Sequence, residues 1–225
     1  MSHLRPPGAA QYRTLSRLRL PLPCRTHPAR TNQGPWLLYA PQSDQAGQGL
    51  LLCADDPGCS VTGLEIDPAA HAVAQQNIVR NGLSGRMESI CTDLRSFTGS
   101  GFPVCISNPP YFSGGPASTR HPTARREDTC QPEELFEAAA KALRYGGDFF
   151  LVHKPERLAQ LIGCGAKQGL EAKRLLLLHH KEGSDISLIF LSFRKGGKPG
   201  LIIEEESLFD RNGQPTDFYR SVYHL

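Results

Sequence analysis

From Ser60 onward the chain alternates short apolar runs with stretches of helical spacing, and that alternation leaves few folds open. Val61 to Ile66 reads as a buried strand, and Pro68 suits the first turn of a helix from about Ala69 to Asn81, closed by Gly82. Arg86 to Cys91 reads as the third strand and Val104 to Ile106 as the fourth. A helix opens at Gln131-Pro132-Glu133-Glu134, with Leu135, Phe136, Ala139, Ala142 and Leu143 at helical spacing until Gly146-Gly147 stops it. Phe149 to Val152, Leu170 to Leu178 and Ser187 to Phe193 supply the fifth to seventh strands, with a helix near Glu156 to Lys167 between the first two. Leu201 to Glu204 adds an edge strand, kept soluble by three consecutive glutamates. Such alternation predicts an α/β domain, and 225 residues is enough for one full core.

The most specific local feature is Val104-Cys105-Ile106-Ser107-Asn108-Pro109-Pro110-Tyr111-Phe112. The prolines lack an N–H for a sheet ladder, so the strand must end there. A residue before proline is pushed toward extended geometry, which projects Asn108 beyond the carboxyl edge of the sheet, where open α/β sheets bind ligands. The chemistry that suits such a corner is transfer of a methyl group to a planar amino nitrogen. Its lone pair is delocalised, and acceptors gripping both hydrogens shift the nitrogen toward a reactive pyramidal shape. Asn108 offers its side-chain oxygen, Pro109 its backbone carbonyl, and Tyr111 a flat face for a flipped base, worth about 1–3 kcal/mol in single-strand binders.

Asn-Pro-Pro-Tyr after an apolar strand resembles the catalytic motif of the class I, S-adenosylmethionine-dependent amino-methyltransferases. Thr123-Ala124-Arg125-Arg126-Glu127, and Leu208 to Thr216 leading to Tyr219 and Tyr223, are similar to the bacterial adenine-N6 methyltransferases of valine tRNA. The resemblance runs from about Leu50 to Leu225. It implies a Rossmann-like, seven-stranded sheet whose seventh strand is antiparallel at the edge. It also implies S-adenosylmethionine as cofactor and tRNA as partner, with Asn108, Pro109, Pro110 and Tyr111 as the catalytic group and Asn108 bordering the cofactor as well. By the same resemblance Asp93 receives the amino group of the cofactor's adenine. Unaided by resemblance, Asp93 equally reads as a turn or cap residue.

Glu65, at the end of the second strand, is placed to accept both ribose hydroxyls, whereas Asp67 reads as a helix cap. Phe112 to Cys130 is a long Gly/Ser/Pro/Arg loop without apolar periodicity, of the kind that is usually functional or disordered. Phe112, Arg125 and Arg126 are its candidate substrate contacts, and Lys181 is another beyond the sixth strand. His179-His180-Lys181 reads as a surface turn, and no third ligand at matching spacing makes it a metal site.

Residues 1–49 do not match the rest of the chain. Up to Ser43 they hold six arginines, no Asp or Glu, and prolines at 6, 7, 21, 23, 28, 35 and 41. The prolines spoil the amphipathic helix of a transit leader, leaving a basic arm or, preferably, a segment foreign to the family and joined by a shifted frame or misassigned start. The resemblance calls for a first strand ending in an acid and a Gly-x-Gly turn. The chain offers only Trp36 to Ala40 and then Gly47 and Gly49, a degenerate version that equally reads as a plain loop. The first strand is therefore doubtful.

A net charge of +3 and a pI near 8.5 permit a nucleic-acid partner without requiring one. Seven scattered cysteines with no Cys-x-x-Cys point to reduced thiols in a cytoplasmic protein without a zinc site. No run approaches the roughly 20 apolar residues of a membrane span, and a monomer is expected. Two other readings stand beside tRNA adenine methylation: a protein-glutamine N5-methyltransferase, and an inactive relative that only binds RNA.

Overall fold

The computed structural model describes residues 35–39, 49, 52–53, 58–109 and 130–223. Its centre is an eight-stranded sheet in the order β3-β2-β1-β4-β5-β7-β6-β8. The strands are β1 (Trp36–Tyr39), β2 (Val61–Glu65), β3 (Met87–Cys91), β4 (Phe102–Ser107), β5 (Leu143–His153), β6 (Leu170–Lys181), β7 (Ile186–Lys195) and β8 (Ile202–Phe209). The helices are α1 (Pro68–Arg80), α2 (Pro132–Ala142), α3 (Leu158–Lys167) and α4 (Asp217–Tyr223).

Three expectations about the sheet are corrected. There are eight strands rather than seven. The antiparallel strand β7 is not at the edge but between β5 and β6, where both of its sides are paired. The edge is held by β8, parallel to β6 and longer than expected, because two of its glutamates are paired: Glu204 with Arg174 and Glu205 with His179. His179 to Lys181 accordingly continue β6 instead of forming a turn beyond it.

The doubtful first strand is present. Trp36–Tyr39 pairs in parallel with β2 on one side and β4 on the other, and all four side chains are buried. Side chains of a strand alternate between faces. Leu37 and Tyr39 accordingly join one core cluster with Leu64, Cys105, Phe149 and Leu151, while Trp36 and Leu38 join the other with Val104, Ile106, Phe150 and Val152. In the first cluster Phe136 of α2 meets Phe149 and Phe193 edge-on, at centroid distances of 5.2 and 5.0 Å. β2 and β4 are buried along their whole length, as parallel strands covered on both faces should be.

Local capping sets the loops at the sheet's carboxyl edge. Asp67 accepts the Ala69 N–H at 2.9 Å to start α1, with Pro68 in its first turn. Gln131 and Glu134 form a capping box on α2. That helix ends at Ala142, four residues before the glycines expected to stop it. Lys195 Nζ donates to the carbonyls of Ala140 and Leu143 at 2.6 and 2.7 Å, and the chain passes directly into β5 with Gly146-Gly147 inside the strand. No helix among the described residues is long and apolar enough to cross a membrane.

Candidate active site

Strands β1 to β5 are mutually parallel and end on one edge, so their last residues converge there. Tyr39 pairs with Leu64 on one side and Ser107 on the other. Glu65 and Asn108 each lie one residue further along, on opposite sides of β1. Two strand spacings separate them, about 10 Å. Both are buried, at 3% and 5% relative exposure, as is Pro109.

Glu65 accepts the Asp67 N–H on Oε1 at 3.0 Å, and Thr92 N–H bonds its backbone carbonyl at 2.8 Å, locking the end of β2 to that of β3. Burial pushes its carboxyl above the usual range, partly opposed by the Asp67 N–H. Asp67 faces away to cap α1, in keeping with its reading from sequence.

Asp93 caps the short turn Leu94–Ser96 through the Arg95 N–H at 2.8 Å, and the Arg95 guanidinium folds back onto both of its carboxylate oxygens. That pairing holds the Asp93 carboxyl below its usual range. Arg95 also reaches Glu134 Oε1 at 3.4 Å, while Glu134 Oε2 accepts the Gln131 N–H at 2.9 Å. The end of β3 is thereby tied to the start of α2. Asp93 is the cap that one reading of the sequence expected, and its carboxylate is paired with Arg95.

Sequence reasoning missed three members of this edge. Tyr39 is 7% exposed, with the Cys130 thiol beside its hydroxyl and Asp93 and Glu65 near enough to disfavour its ionisation. Burial, the larger effect, acts in the same direction, so it is a neutral phenol. Cys130, buried in the same cluster, is pushed up to about 11, chiefly by burial. His153 ends β5 at 2% exposure. Its Nδ1 accepts the Lys154 N–H at 2.8 Å, and burial lowers its pKa, so the ring is neutral with the proton on Nε2. The available signal was position, since each directly ends or precedes an apolar element.

The other sequence candidates fall elsewhere. Gly49 is helical and packs on the flexible end of the Met87 side chain and on Val61, at the starts of β3 and β2. Lys181 is exposed at the turn into β7, three strand spacings or about 14 Å from β4. Gly47, Pro110, Tyr111, Phe112, Arg125 and Arg126 lie outside the described residues. No cluster of three metal-ligating side chains occurs among the described residues.

The donor set fits the nucleoside half of S-adenosylmethionine. Glu65 has a buried carboxylate of the kind that accepts ribose hydroxyls, and Asp93 a half-buried one, shared with Arg95, of the kind that accepts an adenine amino group.

The family model of the methyltransferase small domain matches residues 46–162, just over half of the chain. A protein of Bacteroides fragilis named tRNA1(Val) (adenine(37)-N6)-methyltransferase is 33% identical over 156 residues, 65% of this chain and 65% of the relative's own length. One of the same name from Shewanella halifaxensis is 31% identical over 61% of this chain and 59% of its own. Each match thus spans less than two thirds of these relatives. Among solved structures, a predicted O-methyltransferase from Agrobacterium tumefaciens superposes with a TM-score of 0.70 at 16% identity, covering 87% of this chain and 91% of its own. A geranyl diphosphate methyltransferase in complex with SAM gives 0.57 at 11% identity, covering 83% and 85%. At such identities the structures speak for the fold alone.

Proposed function

The chain belongs to the methyltransferase small domain family, and on that premise we propose that it methylates the exocyclic N6 of an adenine in tRNA, with S-adenosylmethionine as donor. The observation that carries the reading is the placement of Asn108 and Pro109 directly past a fully buried parallel strand, across β1 from Glu65. The tRNA relatives' names support the acceptor.

S-adenosylmethionine supplies, when bound, a methyl group on a sulfonium that leaves as a neutral thioether. Glu65 would hold the ribose and Asp93 the adenine edge of that donor. The Asn108 side-chain oxygen and the Pro109 carbonyl accept the two hydrogens of the target amino group and turn its lone pair toward the methyl carbon. By the resemblance of its motif, Tyr111 would supply the flat face for the extruded base. Transfer of that methyl to the amino nitrogen would release the neutral thioether, and the proton of the methylated amine would be acidic enough to pass to water, so no side chain would need to act as a base. Proximity and orientation supply the acceleration. An unpaired loop adenine is the cheapest to extrude, which favours the anticodon region.

The test is incubation of the full chain with methyl-labelled S-adenosylmethionine and tRNA lacking the modification, followed by digestion to nucleosides. N6-methyladenosine as the labelled product supports the reading. Label in another nucleoside, or none while protein glutamine is methylated, refutes it.

A further inference from the structure

We propose that His153 is a positioning residue for methyl transfer: its Nε2–H holds the Asn108-Pro109 corner so that the Pro109 carbonyl keeps its place as an acceptor of the target amino group. This rests on the role given to that carbonyl above and adds the residue that fixes it.

β4 and β5 run parallel, with Cys105 beside Phe149, Ile106 beside Phe150 and Ser107 beside Leu151. The same register carried two residues further sets Pro109 alongside His153, one strand spacing or about 5 Å away. The backbone ladder stops at this height, because Pro109 and Pro110 have no N–H to donate to a neighbouring strand. A side chain has to join the two strand ends there.

β5 is held further along than β4. Its other side is paired with β7 as far as His153 itself, opposite Ile189. Lys154 N–H donates to His153 Nδ1 at 2.8 Å, and Lys154 Nζ donates to the Ser187 carbonyl at 3.1 Å, tying the turn after β5 to the start of β7. The imidazole is therefore pinned through one nitrogen, and the rest of the ring is buried. With Nδ1 accepting, the neutral ring carries its proton on Nε2.

A buried ring N–H is bonded in folded proteins. Beside it the buried Asn108-Pro109 segment brings two backbone carbonyls and the Asn108 amide oxygen, all of them acceptors. A carbonyl oxygen has two lone pairs, so accepting from His153 leaves one for the target amine. A leucine could fill the same volume, but it could not accept from Lys154 and donate onward.

Two variants separate the ring's nitrogens. In His153→Asn the side-chain amide takes the Nδ1 position, keeping an acceptor for the Lys154 N–H and losing the onward donor. In His153→Gln the amide nitrogen takes the Nε2 position and the Lys154 bond is lost. Turnover of the full chain with methyl-labelled S-adenosylmethionine and tRNA should fall by about tenfold or more in the Asn variant, and most of it should return in the Gln variant. KM for tRNA and affinity for S-adenosylmethionine should stay within about threefold of the parent in both. A residue that only stabilises the fold gives the reverse order, because the Asn variant keeps the bond to Lys154, and that order overturns the inference. A further readout needs neither activity nor a change at His153. In the full chain carrying isotope-labelled histidine, NMR should show a slowly exchanging Nε2–H that shifts in Pro109→Ala; a rapidly exchanging or unshifted proton overturns the inference. If the parent transfers no methyl to tRNA while that proton is protected and shifts, the acceptor reading fails and the hold of His153 on the corner stands.

Discussion

Glu65 and Asn108 flank β1 at the same height, each one residue past a direct pairing with Tyr39. The two ends of the proposed transfer, ribose and acceptor nitrogen, are therefore fixed by strand register rather than by loops. Glu65 is held there against its own preference, because burial raises its carboxyl pKa. A raised folded-state pKa means the folded chain binds more protons than the unfolded chain, so this group's contribution to stability falls as pH rises from the ordinary carboxylate range through the raised value. Glu65→Gln should remove that penalty. Its melting temperature at neutral pH should be higher than the parent's, with the gain shrinking on acidification. Lost bonds to the ribose should weaken S-adenosylmethionine binding by about tenfold or more. Thermal melts with calorimetry at two pH values check both arms, and unchanged cofactor affinity would remove Glu65 from the site.

His153 has the opposite sign. Its pKa is lowered by burial, so the folded chain binds fewer protons than the unfolded chain near neutrality. Stability present above the ordinary histidine range should be lost as pH falls through that range toward the lowered value. Denaturant melts from neutral to mildly acidic pH should show this decline, and His153→Gln should flatten it. An equal decline in the variant would assign the acid sensitivity to other groups.

Ser107 Oγ is fully buried without a hydrogen-bond partner. An unsatisfied buried hydroxyl costs about 1–3 kcal/mol. Ser107→Ala should therefore be at least as stable as the parent in denaturant unfolding, and no weaker in cofactor binding. A clear loss of cofactor affinity would show instead that the ligand satisfies this hydroxyl.

What the sequence disclosed was what local chemistry determines. Pro68 behind Asp67, and Asn108 before two prolines, restrict their own backbones, so α1 and the end of β4 could be read without knowing their neighbours. β1 could not. The five apolar residues between Pro35 and Pro41 carry no local signature, and four of them form a strand because β2 and β4 offer ladders on both sides. The same applies to β7, whose insertion between β5 and β6 depends on residues far apart in the chain. At the site, Glu65 was legible as an acid at a strand end, whereas Asp93 was singled out by resemblance. The hold of Arg95 on Asp93 and Glu134 was not, since it joins residues about forty positions apart through a folded edge.

On the proposed reading Asn108 orients the acceptor nitrogen more than it holds the donor. Asn108→Ala, measured for S-adenosylmethionine affinity by calorimetry and for methyl transfer to tRNA in the same preparation, separates the two roles. Affinity should stay within about threefold of the parent, and transfer should fall by about 100-fold or more, the scale of losing one oriented polar contact at a reacting centre. Transfer at the parent's rate would contradict this assignment of Asn108.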